Sequence, residues 1–154
     1  MSFVSEKEND GLTLDDLKVG QIFRSGTHQL DEAQIIAFAS SFDPQPFHTN
    51  PVAAENTFFK GLAASGWHTA AITMKLLVSS ANIFGGLIGA GAEVTWPRAT
   101  RANDVLQVET EIIEIKESRS RPDRGIVTIR STTRNQDNHT LQIMISRLVV
   151  PRRT

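Results

Sequence analysis

The stretch Ser65–Ala81 constrains this chain more than any other. Trp67, Ala70, Ala71, Met74, Leu77, Val78 and Ala81 follow helical spacing, and Ile72 and Leu76 occupy the remaining face. Lys75 is the only charge between Gly66 and Ala81. A helix apolar nearly all round must be enclosed by other structure. It is short for a membrane span, and His68, Thr69, Thr73 and Lys75 interrupt it. The pattern predicts a central helix wrapped by the rest of the chain.

The wrapping material is strand-like. Ile88–Trp96, Val105–Ile115, Gly125–Thr133 and Leu141–Val150 contain stretches of alternation such as Val127-Thr128-Ile129-Arg130. Asn103-Asp104, Pro122-Asp123-Arg124-Gly125 and Asn135-Gln136-Asp137-Asn138 mark turns between them. An earlier strand is expected at about Gln21–His28. Asp31-Glu32-Ala33-Gln34 then has the form of a capping box, opening a helix to about Phe42. Pro51 suits the first position of a further short helix of about seven residues. One strand, helices, then four strands in meander order predict an α+β protein, an antiparallel sheet curled around a helix.

At 154 residues the chain fits one domain, residues 14–154, after a flexible N-terminal extension over residues 1–13. Its 40% apolar and 21% charged content is ordinary for a soluble globular protein. Cysteine is absent, which removes a disulfide framework, a thiolate nucleophile and thiolate metal ligands. No leader-like or membrane-spanning run stands out, so the expected location is cytoplasmic. A net charge of −1 argues against a dedicated nucleic-acid binder. Residues 1–77 hold 5 Lys/Arg against 9 Asp/Glu, whereas residues 78–154 hold 11 against 8. That basic half suits an anionic ligand or simply solvated strand faces.

The chemistry concentrates in Phe42-Asp43-Pro44-Gln45-Pro46-Phe47-His48. Two prolines stiffen a run carrying one carboxylate and one imidazole, groups able to move protons on and off a substrate. Asp43 follows a helix C-terminus, where the dipole disfavours its charge by ~0.3–1 kcal/mol. Burial added to this would raise its pKa toward the range of a general base. Asp-Pro also opens ordinary turns, so the pair admits a structural reading. Fully extended, five residues would separate the two groups by roughly 15 Å. Convergence needs a bend that the spacing does not supply.

Gly66 is the third element. With Ser65 as N-cap it becomes the first helical residue, whose N–H lacks an intrahelical partner and could hold a developing negative charge. A tight turn from Gly61 into the helix would equally account for it. His68 lies in the same first turn and reads as structural or pocket-lining; His28 and His139 have no chemical company. There is no phosphate-binding glycine loop and no metal-spaced cluster. No metal or cofactor is expected.

Phe42-Asp43-Pro44-Gln45-Pro46-Phe47-His48 resembles the hydratase motif of MaoC-like dehydratases, the (R)-specific enoyl-CoA hydratase group, usually Asp-x-Asn-Pro-x-His. Gly61-Leu62-Ala63-Ala64-Ser65-Gly66-Trp67-His68-Thr69 resembles that family's glycine-bearing start of the central helix, and Asp15-Asp16-Leu17-Lys18-Val19-Gly20 its leading turn. The likeness spans about residues 12–150. It implies a hot-dog fold and a homodimer or dimer of dimers. It further implies reversible hydration of a trans-2-enoyl-CoA to an (R)-3-hydroxyacyl-CoA. Carried over, Asp43 and His48 form the acid/base pair and Gly66 is the oxyanion donor. Gln45, Phe47, Ser65, Trp67 and His68 are expected to contact substrate. Gln45 departs from the usual Asn, and Arg98 to Asp104 departs from the family's Pro-Val and Gly-Asp pieces.

Two other readings stay open. Hot-dog thioesterases commonly use a carboxylate on the central helix, but Gly66–Ala81 has no Asp or Glu. A non-catalytic acyl-thioester binding module would keep the pair behind a pocket closed by Phe42 or Trp67. A nucleic-acid role for the basic turn Arg119–Arg124 is the weakest reading.

Overall fold

A computed structural model describes residues 11–153. A 3₁₀ turn at Leu14–Asp16 precedes strand β1, Ile22–Gln29. Helix α1 spans Glu32–Phe42, and two one-turn helices follow, α2 at Pro46–Thr49 and α3 at Pro51–Ala54. The long helix α4 is Gly66–Ser80. Four strands complete the chain: β2 Ile88–Thr95, β3 Val105–Glu117, β4 Arg124–Arg134 and β5 Thr140–Pro151.

The five strands form one antiparallel sheet in the order β1-β3-β4-β5-β2. This is the expected α+β hot-dog arrangement, with one correction to the order. Only β3, β4 and β5 form a meander; β2 skips its successor and pairs with β5 at the far edge. The turns stand where the sequence marked them, with Asn103 and Asn138 in the left-handed region at φ 72° and 62°. Asn tolerates that conformation better than other non-glycine residues.

Alternation along β3 buries Leu106, Val108, Thr110 and Ile112 on the face that meets α4. Two apolar clusters result. Around the first half of α4, Ile72 and Leu76 pack with Leu30, Ile35, Leu106, Val108 and Leu141. Around its second half, Leu77 and Ala81 pack with Ile112, Val127, Ile129, Met144, Leu148 and Val150. Burying each large side chain contributes about 1.5–3 kcal/mol, which fixes α4 against the sheet.

The enclosure is one-sided, contrary to the expectation of full wrapping. Trp67, Met74 and Val78 are 60%, 42% and 53% exposed. The sheet curls around only one side of α4, so the opposite stripe stays bare within a single chain. Among the described residues no helix is long and apolar enough to cross a membrane.

The helix expected from Pro51 is shorter than seven residues. The Asn50 side chain caps it by accepting from the Val52 and Ala53 amides, and it ends at Ala54. Residues 1–10 of the expected N-terminal extension lie outside the described residues. Its last residues are tied down: the Leu12 amide donates to Asn82, its carbonyl accepts from Phe84, and Thr13 caps the 3₁₀ turn through Asp16.

Candidate active site

The bend that spacing alone did not supply is α2. Gln45 is extended before Pro46, and proline at the first helical position sets the chain into one helical turn. The His48 amide donates to the Gln45 carbonyl and the Asn50 amide to that of Pro46. This turn carries His48 back toward Asp43, and its Nε2 lies 3.4 Å from Asp43 Oδ2.

Each member of the pair is held by a separate part of the chain. His48 is buried and its Nδ1 lies 2.6 Å from the Ala63 carbonyl oxygen. A carbonyl only accepts, so Nδ1 carries the hydrogen, and Nε2 presents a lone pair whenever the ring holds a single proton. Asp43 accepts from the Ser65 hydroxyl at 2.8 Å on Oδ2 and from the Gln45 amide on Oδ1. The glutamine that departs from the usual motif therefore orients the carboxylate. Two acceptors thus face one space, and a water seated beside them could donate one hydrogen to each.

The direction of the Asp43 pKa corrects the sequence expectation. Burial does push it upward, but hydrogen bonds from Gln45 and Ser65, with attraction to His48, outweigh this and hold it below 3.8. The carboxylate is ionised at neutral pH.

Ser65 also caps α4: its Oγ accepts from the Trp67 amide at 3.2 Å while donating to Asp43. The Gly66 amide donates to no acceptor among the described residues. Its lack of a side chain answers to packing as well. A Cβ there would stand 2.7–2.9 Å from three atoms of the Trp96 indole. The glycine combines a free N–H with a contact too tight for alanine, and that packing against Trp96 differs from the tight entry turn expected from Gly61.

Asp43, His48 and Gly66 line one cleft of about 370 Å³, together with Phe58, Phe59, Trp67, Thr69, Trp96, Arg98 and Thr100. Of the expected substrate-contacting residues only Trp67 reaches its wall. Gln45 and Ser65 act behind it, holding Asp43. Phe47 packs edge-on against the His48 ring and at a tilt against Phe59. His68 is stacked on Phe38 with ring centroids 4.5 Å apart, and its buried Nδ1 has no hydrogen-bond partner among the described residues. Burial, with His28 nearby, pushes this imidazole below its ordinary 6.5, so it stays neutral. His28 is not without company: it bonds to Gln34 at 2.7 Å and to Lys75 at 3.0 Å.

Sequence reading missed Arg101. Its guanidinium donates to the carbonyls of Phe59, Gly61 and Leu62, immediately before the Ala63 carbonyl that orients His48. One arginine among several in a basic half gives no signal of this. Arg101→Met should lower unfolding stability by about 2–3 kcal/mol, since three carbonyls lose a charged donor. Urea denaturation midpoints measure it. Trp96 was read only as a strand end and Thr100 as an eroded motif position, yet both line the cleft. Among the described residues no group of three His, Cys, Asp or Glu could hold a metal ion.

A family model described as "MaoC like domain" matches residues 17–135, most of the chain. The chain belongs to the MaoC-like domain family. The matched region holds the Asp43–His48 loop, all of α4 and the sheet through β4. The MaoC-like dehydratase from Rhodospirillum rubrum has a solved structure 53% identical in sequence. It superposes with a TM-score of 0.91, over 94% of this chain and 99% of that one. A curated relative, the uncharacterized protein YdeM of Bacillus subtilis (strain 168), is 31% identical over 128 residues, covering 81% of this chain and 89% of YdeM. The (R)-hydratase PhaJ1 from Pseudomonas aeruginosa shares the fold at 24% identity, with a TM-score of 0.76 over 93% of this chain and 88% of its own. This MaoC-like chain thus carries the Asp43–His48 loop on the family's scaffold.

Proposed function

We propose that this MaoC-like protein is a hydro-lyase that reversibly hydrates a trans-2-enoyl-CoA thioester to an (R)-3-hydroxyacyl-CoA. The observation that carries the reading is the 3.4 Å approach of His48 Nε2 to Asp43 Oδ2 in the cleft that Gly66 also lines. The close relative described as a dehydratase and the fold-level likeness to an (R)-hydratase point the same way.

In the forward direction a water oxygen bonds to C3 of the enoyl group. The Asp43–His48 pair takes one of its hydrogens, and a proton returned from the pair completes C2. One water is consumed, and the pair ends in its starting protonation state. Negative charge builds on the thioester oxygen between these events. The unpaired Gly66 amide at the positive end of α4 is the donor for it. Ser65 keeps that helix start and the carboxylate in fixed relation.

The test follows loss of the conjugated thioester absorbance with crotonyl-CoA and longer enoyl-CoAs. No turnover at any length overturns the reading. Tight thioester binding without turnover would favour a binding module instead.

Two chains are proposed to form a homodimer. The bare stripe Trp67, Met74 and Val78 on α4, with Ile88 exposed on edge strand β2, supports this. Light scattering is expected to give twice the chain mass; a stable monomer contradicts it.

A further inference from the structure

The face of α4 turned toward the sheet carries, one turn apart, Thr69, Thr73 and Leu77, with Ala81 continuing the row at the C-cap. Thr69 lines the cleft, while Leu77 and Ala81 line a separate apolar gap at the other end of the core. The layer between them is hydrogen-bonded throughout. Thr73 Oγ1 donates to the Thr69 carbonyl at 2.9 Å and lies 2.6 Å from the Thr133 hydroxyl. Gln142 donates to Thr73 Oγ1 at 2.9 Å and accepts from the Trp96 indole N–H at 2.9 Å. Thr69 Oγ1 donates to Thr100 Oγ1 at 2.9 Å.

The register builds this layer. Thr133 and Gln142 are paired residues on β4 and β5, so they stand side by side on the inner face and meet Thr73 from below. Thr73, Thr133 and Gln142 are each 0% exposed. A core built only for stability would place apolar side chains here, as it does on either side.

We propose that this partition closes the acyl end of the cleft, making the protein selective for short-chain acyl thioesters. The inference rests on the thioester reading of the same site. An alkyl chain long enough to pass Thr69 would have to part the Thr73–Gln142–Trp96 bonds. Each buried group left unpaired costs about tenfold in binding. The chain would also lie against the Thr100 hydroxyl, whose own hydrogen has no acceptor among the described residues. In an apolar tunnel each added methylene instead improves binding about fourfold. The two cases have opposite slopes with chain length.

The decisive measurement is kcat/KM of the unaltered protein with crotonyl-, hexenoyl-, octenoyl- and dodecenoyl-CoA. Values are expected to fall at least tenfold between hexenoyl and octenoyl. A value that holds level or climbs with length overturns the proposal. Replacing the partition as a set, Thr73→Val with Thr133→Val, Gln142→Met and Trp96→Phe, strands no partner and should raise the octenoyl-to-crotonyl ratio at least tenfold. An unchanged ratio in a folded variant counts against it.

Calorimetric binding of the saturated thioesters butyryl- and octanoyl-CoA to the unaltered protein needs neither turnover nor a variant. Butyryl-CoA binding more tightly than octanoyl-CoA supports the partition, and the reverse order overturns it alone. Failure of both to bind, with no enoyl-CoA turned over, instead removes the thioester reading on which it stands.

Discussion

Replacing His48 with alanine is expected to lower kcat/KM for enoyl-CoA hydration by about 100- to 10,000-fold, the usual contribution of a positioned proton-transfer group. Asp43→Asn should fall in the same range, because the amide keeps the shape but cannot take a proton from water. The losses should not multiply in the double variant, since the pair serves one water. Continuous absorbance assays measure all three. His48→Ala also leaves the Ala63 carbonyl unpaired and a gap beside Phe47 and Phe59, so circular dichroism must accompany the kinetics. Asp43→Asn keeps the same volume and separates chemistry from folding.

The pH dependence follows from the sign of the Asp43 shift. Its folded pKa lies below 3.8, so the carboxylate is already ionised everywhere above that value. No limb of the pH–rate profile near neutrality should disappear in Asp43→Asn on account of Asp43 titrating. For stability, the contribution is present above the unfolded value of 3.8 and is lost as pH falls through the lower folded value.

Gly66→Ala is expected to have the second large effect. The new Cβ would press into the Trp96 indole at 2.7–2.9 Å, and neither the ring nor the helix start can yield freely. Trp96 is held by its bond to Gln142, and Ser65 is tied to both Trp67 and Asp43. Overpacking of this kind costs about 1–3 kcal/mol, or several degrees in Tm for a chain of this size. If the Gly66 amide holds the thioester oxygen, kcat should also drop about 100-fold as that amide is displaced. Adding Trp96→Ala relieves the clash. Recovery of kcat together with Tm is then expected, because relief of the clash returns the amide to its place, whereas an undiminished kcat in Gly66→Ala itself removes the amide from the chemistry.

Much of this was readable from side-chain pattern. Every strand and the long helix lie within a few residues of where alternation and helical spacing put them. The Ser65 cap and the Asp31 cap were local signals, and local signals survive folding. Other features depend on contacts distant in sequence. The pairing of β2 with β5 rather than β3 is invisible to periodicity, which reports which face is buried but not which neighbour is met. The α2 turn hides between two prolines that equally suit an extended run. The direction of the Asp43 shift depended on Ser65, twenty-two residues away. Arg101 reads as one cation among sixteen until its three carbonyl partners are brought beneath it.

The Ser65 hydroxyl serves two masters, capping the start of a helix and aligning the Asp43 carboxylate. Thermal loosening of the first turn of α4 would therefore disarm the carboxylate well before the rest of the fold gives way. With Asp43 in the role proposed for it, catalytic competence and local order at one serine rise and fall as a single property.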